Sequence, residues 1–171
     1  MSITDMSITR AARTSLLALV AVLASTLAVV GGVAAPAEAK LSTTQIRSMA
    51  SGTYEQRVQY WINQERAKRG KAKLRVQTCT DSLSERWSRH LADTGQFYHQ
   101  SLDPFFSRCK ARYAGETLAR GVVDPRTVVR LWMQSPPHRR VMLSTSPRRV
   151  GVAAVLDHNG TWVVTANYTR F

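Results

Sequence analysis

Apolar side chains recur at helical spacing in the first half of the chain. From Tyr54 onward they fall three or four residues apart, which predicts a helix that ends near Gly70. The small, polar residues 40–53 before it are expected to form a leader into the domain. A second helix should start at Thr80–Ser82, whose side chains can cap it, and should end at Gly95. The inner face of this second helix is predicted to consist of Leu83, Trp87, His90 and Leu91.

A third helix has the clearest start signal in the chain. Asp124 can cap it, Pro125 suits its first helical position, and Pro136 should interrupt it. The segment before it, residues 97–121, is rich in aromatic residues but is broken by proline and glycine. No regular period predicts its structure, and we expect it to be irregular.

The last third of the chain changes to a pattern typical of strands. Two β-rich runs, 150–156 and 161–171, flank the turn-forming residues 157–160, which predicts a hairpin. Helices come first along the chain and adjacent antiparallel strands come last. The expected fold class is therefore α+β, with helices covering a sheet.

The N-terminus has the pattern of a secretory signal peptide. Residues 14–37 carry no charge, follow Arg10 and Arg13, and lead into an A-x-A cleavage pattern that ends at Ala39. An uncleaved membrane anchor is the alternative, since about 18 apolar residues already suffice to span a bilayer. We expect cleavage, so that residues 1–39 are removed and the mature, secreted chain begins at Lys40.

The chain is strongly basic, with a formal net charge of +13. Two basic and two acidic residues precede Lys40, so the predicted mature chain keeps this charge. Such a charge favours anionic partners, and for an exported protein these are cell-envelope polymers or lipids rather than nucleic acid. The attraction should be strongest at residues 66–75 and 138–140, and it should weaken as salt is added.

The chain contains two cysteines, Cys79 and Cys109. In an exported protein an even pair is most simply a disulfide bond. A metal site with two thiolates is the alternative, but no C-x-x-C spacing supports it.

Several motifs follow one another in a characteristic order: INQERAKRG, FYH, GETLARG, WMQSPPHRRVML and the final hairpin. In this order they resemble the CAP superfamily, the group of cysteine-rich secretory proteins, antigen 5 and plant pathogenesis-related proteins. The similarity is strongest to the short bacterial secreted members and covers residues 54–171, which we expect to be the domain. It implies a three-layer α-β-α sandwich with an antiparallel sheet.

The resemblance also implies a central cleft in which His99, Glu116 and His138 converge. Two imidazoles and a carboxylate could bind a zinc-like divalent ion weakly, or could share protons near neutral pH. Without a metal, the adjacent carboxylate is expected to raise the pKa values of both histidines. No other cofactor is expected. The sequence departs from the family at Thr117, where an asparagine is usual, and at Gln134, where many eukaryotic members have a second glutamate.

Without the family resemblance, the sequence neighbours of these residues suggest simpler explanations. Glu116 follows a glycine and could accept backbone hydrogen bonds in a turn, and His138 follows two prolines and could cap a helix. No single helix presents the three side chains together, so only the resemblance joins them.

Three classes of function remain open. The first is a secreted, monomeric binding module for an envelope lipid, sterol or polymer, with a mature chain that does not span the membrane. The second is a hydrolase that uses His99, Glu116 and His138, with or without a metal. The third is a structural or defence protein whose cleft is vestigial. The chain lacks a nucleophile elbow and an H-E-x-x-H motif, which favours binding over catalysis but leaves open whether it is an enzyme.

Overall fold

The structure is a computed structural model that describes residues 40–171; the predicted signal peptide, residues 1–39, lies outside the described residues. No helix in the described part is both long and apolar enough to cross a membrane. The helices are α1 (Thr43–Arg47), α2 (Ser51–Ala67), α3 (Thr78–Thr94), α4 (Asp103–Ser107), α5 (Pro125–Gln134) and α6 (Pro136–Leu143). The strands are β1 (Arg75–Val76), β2 (Tyr113–Gly121), β3 (Arg149–Leu156) and β4 (Trp162–Arg170).

The strands form one sheet in the order β1-β3-β4-β2. The predicted hairpin is confirmed as the antiparallel pair β3 and β4, and the carboxylate of Asp157 accepts hydrogen bonds from the backbone N–H groups of Asn159 and Thr161 in its turn. Strand β2 is also antiparallel to β4, whereas the short β1 pairs in parallel with β3. The sheet is therefore antiparallel apart from this one short edge strand.

Strand β2 lies in the segment that was expected to be irregular, and that expectation is wrong. Residues 115–118 are buried one after another rather than at every second position. Both faces of this part of the strand are covered, so it lacks the alternation of polar and apolar residues that marks a half-exposed strand.

Helices cover both faces of the sheet. On one face, α2, α5 and α6 bury the side chains of Val152 and Tyr168 in the larger core, and on the other α3 buries Leu91 against Val163. Successive residues of β4 point alternately into the two layers, as expected for an extended strand. The predicted three-layer α-β-α sandwich is confirmed, and residues 40–171 form a compact unit with a core on each face of the sheet.

Residues 40–53 differ from the leader that was expected. Ser42 caps the one-turn helix α1, and Ile46 within it is buried in the larger core. The carbonyl of Ile46 also accepts a hydrogen bond from the indole N–H of Trp162 at 2.9 Å. A helix with one buried apolar residue has no repeating pattern, so sequence periodicity could not reveal it.

The starts and ends of the longer helices follow the sequence signals, with one exception. Helix α5 begins at Pro125, and the Asp124 side chain accepts from a backbone N–H in its first turn, as predicted. Gly95 ends α3 in the left-handed conformation, also as predicted. The predicted cap of α3 is wrong: Gln77 holds that position, and the Asp81 carboxylate accepts instead from the backbone N–H of Val152 on β3.

The inner face of α3 is largely polar, which corrects the predicted apolar stripe. Leu83 and Leu91 are buried, but Trp87 is only half-buried and His90 is exposed. The helix instead meets the sheet through three buried hydroxyl groups at every fourth position, those of Thr80, Ser84 and Ser88. Their partners on β4 are Thr169, Asn167 and Thr165, at distances of 2.9, 2.9 and 2.7 Å. We call this contact the hydroxyl seam.

The hydroxyl seam requires a close approach between α3 and the sheet. A Cβ atom added at Gly151 on β3 would lie 2.5 Å from the backbone nitrogen of Asp81 and 2.7 Å from the carbonyl carbon of Thr80. Backbone atoms cannot move aside as the end of a side chain can. Only glycine therefore fits at this point of the sheet.

The disulfide bond between Cys79 and Cys109 is confirmed, with the two Cα atoms 5.7 Å apart. It joins the first turn of α3 to the segment that leads into β2. Closing a span of 30 residues is worth about 3–4 kcal/mol in the chain-entropy model.

Gly151→Ala should destabilise the domain by about 1–3 kcal/mol or more, because it forces α3 away from the sheet. Gly52→Ala is the matched control, since Gly52 lies in α2 with open space around it. There alanine should be neutral or should stabilise by up to about 1 kcal/mol. Urea unfolding of a chain consisting of residues 40–171 measures both changes. Equal stabilities for the two variants would contradict the close approach.

Candidate functional site

The candidate site is centred on the carboxylate of Glu116, in the buried middle of β2. Its side chain is 3% exposed, and a carboxylate in such a place needs hydrogen-bond donors to offset its lost hydration. His99 Nδ1 lies 2.7 Å from Oε1, and the backbone N–H of Gln100 donates to the same oxygen at 3.3 Å. The side-chain amide of Gln100 donates to Oε2. Each carboxylate oxygen therefore has a partner from residues 99–100.

These contacts set the ionisation and the orientation of the pair. Burial raises the pKa of Glu116, and the hydrogen bonds from Gln100 and His99 act in the opposite direction. The His99 side chain is 58% exposed. A carboxylate beside Nδ1 favours the tautomer that carries its proton there, and this leaves Nε2 as the free nitrogen of an accessible ring.

His138 lies in the first turn of α6, close to His99. The two ring centroids are 6.3 Å apart, and the ring planes differ by 53°. Burial lowers the pKa of His138, and the charge on His99 lowers it further. The expectation that a carboxylate would raise both histidine pKa values is thus wrong for His138, because Glu116 is paired with His99. Nor does His138 cap its helix, since Ser135 occupies the N-cap position.

A groove of about 440 Å³ brings the three side chains together. His99, Glu116 and His138 line it together with apolar residues that include Leu102 and Pro137. We call this the imidazole groove. No serine, threonine or cysteine is among the residues that line it. The convergence expected from the resemblance is therefore present in the geometry, and the phenol of Tyr113 is the one side-chain hydroxyl among the lining residues.

Gln100 is the residue of this site that sequence reasoning missed. It contacts Glu116 through both its backbone and its side chain, and its amide lies 3.5 Å from the side-chain oxygen of Asn167. A glutamine in an irregular segment has no local signal of such a role. Its position directly after His99 was the one available hint.

The two departures from the family pattern lie away from the imidazole groove. Thr117 follows Glu116 on β2 and so points to the opposite face of the sheet, where its hydroxyl lies 3.3 Å from that of Tyr168. Gln134 is exposed at the end of α5 and does not line the groove. Neither substitution changes the contacts between His99 and Glu116.

The donors fit a divalent ion only in part. Among residues 40–171, no three His, Cys, Asp or Glu side chains are grouped so as to hold a metal ion. At this site both oxygens of Glu116 accept hydrogen bonds. His99 and His138 are left as ligands, with Glu116 orienting His99. An ion held there would supply Lewis-acid chemistry to a carbonyl or phosphoryl oxygen.

Comparison with known proteins places the chain in a family. Residues 59–168 match the model of the CAP family, which is described as the cysteine-rich secretory protein family. The chain belongs to the CAP family. The resemblance seen in the motifs is thereby confirmed.

Several bacterial proteins are similar to this CAP chain. Protein YkwD of Bacillus subtilis (strain 168), described as uncharacterized, is 32% identical over 129 residues, which are 71% of this chain and 50% of YkwD. The chain thus spans about half the length of this curated relative. An extracellular SCP-domain protein from Bacillus anthracis str. Ames shares the fold with a TM-score of 0.64 and 20% identity, over 78% of this chain and 45% of that one. An outer surface protein from Borrelia burgdorferi aligns with a TM-score of 0.60 and 16% identity, over 77% and 97%.

His138 should titrate below the ordinary range of a histidine, and His99→Gln should move its pKa part of the way back. The substitution removes the charge on His99 but leaves the burial, which is the larger cause. Proton NMR titration of the histidine ring signals measures the effect. His158→Ala, in the exposed hairpin turn, is the control and should leave the His138 titration unchanged. A wild-type His138 pKa above the ordinary value would contradict this account.

Proposed function

We propose that this CAP chain is an extracellular binding module whose imidazole groove takes a small amphipathic lipid or sterol. The observation that carries the proposal is that apolar side chains and two imidazoles line the same groove. Its volume, about 440 Å³, lies within the usual range for small-molecule sites.

Export is supported by three separate features. The N-terminal sequence has the basic, apolar and small-residue order of a signal peptide. The disulfide between Cys79 and Cys109 is of a kind that persists in oxidising compartments. Two solved structures with this fold are described as an extracellular protein and an outer surface protein. Together they favour a mature chain outside the cell.

The chemistry of the groove suggests how a ligand would lie in it. Leu102 and Pro137 offer a surface against which an alkyl chain or sterol ring loses contact with water. In the same groove, the free nitrogen of His99 can accept from a hydroxyl group, and the ring of His138 can donate to a carboxylate. A ligand with one polar head and one apolar body would contact both kinds of lining residue.

A divalent ion at the two imidazoles is a further part of this proposal. Two nitrogen ligands with open coordination positions would hold a zinc-like ion weakly and exchangeably. Its affinity should fall as pH is lowered, because ligation requires neutral imidazole. The lowered pKa of His138 keeps that ring available to a lower pH than usual.

Hydrolysis is the alternative function, and one observation favours it. His99 Nδ1 lies 2.7 Å from Glu116 Oε1, an arrangement in which the imidazole could act as a general base towards water. No serine, threonine or cysteine lines the groove, and its one side-chain hydroxyl is the phenol of Tyr113, so we expect a bound water to act as the nucleophile. Binding without turnover therefore remains the preferred proposal.

Fluorescence titration with cis-parinaric acid, a fluorescent fatty acid, tests the proposed function on residues 40–171. Wild type should bind it saturably. Pro137→Asp should weaken binding at least about tenfold, because it places a charge among the apolar lining residues, at a helix start that tolerates an acidic residue. His138→Ala should weaken it about tenfold through loss of a charge-assisted hydrogen bond, whereas His158→Ala should leave it unchanged.

The outcomes separate the proposals. Unchanged affinity in Pro137→Asp and in His138→Ala would overturn the lipid-binding groove. Zinc should change the affinity of wild type for cis-parinaric acid but not that of His138→Ala. An equal change in both proteins would reject the metal. Hydrolysis of p-nitrophenyl butyrate by wild type, with loss of this activity in Glu116→Gln, would favour the hydrolase instead.

A further inference from the structure

A second groove, of about 520 Å³, lies at one end of the sheet and shares no lining residue with the imidazole groove. Five basic side chains line it, together with Ala72 and Phe171, and none of the lining side chains is acidic. We call it the basic groove. The five are Lys73, Arg75, Arg148, Arg149 and Arg170.

The sheet topology gathers these cations. Strands β1 and β3 are parallel and start at this end, where Arg75 and Arg149 are direct register partners. Strand β4 runs the other way and ends here with Arg170, whose carbonyl accepts from the backbone N–H of Arg112. Three neighbouring strands thus each bring an arginine to the same end of the sheet.

These positive charges are not neutralised within the described residues. No ion pair joins any of the five to a carboxylate in residues 40–171. Arg148 donates to the backbone carbonyl of Thr145 at 2.9 Å instead. Like charges placed directly opposite each other on neighbouring strands are destabilising. An anion held between Arg75 and Arg149 would remove that repulsion.

Buried hydrogen bonds fix the backbone beside the basic groove. Arg66 is fully buried, and its guanidinium donates to the carbonyl of Ala72 on one side and to those of Met142 and Ser144 on the other. The side chain of Asn63 adds two hydrogen bonds to the backbone of Leu74, one of 2.8 Å and one of 3.0 Å. Preorganised walls of this kind reduce the entropy lost on binding.

We propose that the basic groove binds a linear polymer with repeating phosphate groups, of a type without stacked bases. Guanidinium groups match phosphate oxygens with two parallel hydrogen bonds, and four of the five cations are arginines. A row of cations contributed by three strands suits successive phosphates better than one small anion. Phe171 alone among the lining residues is aromatic, whereas single-stranded nucleic acid is held by several stacking side chains.

The position of the basic groove narrows the expectation, drawn from the sequence, of where anionic partners bind. Of the basic stretch 66–75, Lys73 and Arg75 line this groove, but Arg139 and Arg140 of the other stretch do not. The strongest phosphate attraction should therefore lie at the end of the sheet, apart from His138 and the imidazole groove.

The test is fluorescence anisotropy of end-labelled linear polyphosphate with residues 40–171, titrated at several salt concentrations. The variant Arg75→Gln/Arg149→Gln should bind about tenfold more weakly, with the slope of log affinity against log salt reduced by about two. The matched control is Arg57→Gln/Arg86→Gln, which removes the same charge from exposed helical positions. It should change affinity less than about twofold. Thermal unfolding should show that both variants are folded. The groove variant should have a melting temperature equal to or above that of wild type, because the repulsion between Arg75 and Arg149 is relieved.

Other results would overturn the proposal. Equal losses in the two double variants would mean that net charge alone attracts the polymer. Equal affinity for poly-glutamate would mean that phosphate is not recognised. Tighter binding of an oligo-dT strand than of polyphosphate, lost in Phe171→Ala, would assign the groove to nucleic acid. Because Pro137→Asp leaves this groove intact, failure of the lipid proposal would not affect the result.

Discussion

The buried carboxylate of Glu116 is the constraint on which the candidate site depends. It lies on a strand of the central sheet, where water cannot hydrate it, and each of its oxygens is bonded by residues 99–100. Those residues belong to no helix or strand. The carboxylate therefore positions the segment that carries His99, and the orientation of that imidazole follows from the need to satisfy a buried charge.

The same polar network extends into the fold. Gln100 contacts Asn167 on β4, and the amide of Asn167 donates to Ser84 in the hydroxyl seam. The seam exists because Gly151 lets α3 approach the sheet closely. The close packing of α3 on the sheet is thus linked to the carboxylate that orients His99. The side-chain amides of Asn167 and Gln100 form this link. Stability and the geometry of the imidazole groove share one set of contacts.

The sequence predicted the parts that have strong local signals. The cap at Asp124 and the turn at Asp157 act through neighbouring residues, so both could be recognised without the fold. Strand β2 and the inner face of α3 could not, because their burial is decided by elements distant in sequence and their patterns are not amphipathic. His99, Glu116 and His138 were joined only through family resemblance. Gln100, which binds Glu116 twice, had no signal beyond its position directly after His99.

The central claim is that Glu116 orients His99 by accepting a hydrogen bond from its Nδ1. Two-bond proton–nitrogen correlation NMR of ¹⁵N-histidine-labelled residues 40–171, at a pH where the ring is neutral, reads the tautomer of His99 directly. The account predicts a proton on Nδ1 and a bare Nε2 facing the imidazole groove. A proton found on Nε2, with Nδ1 bare, would contradict it, because Glu116 would then have to be the donor.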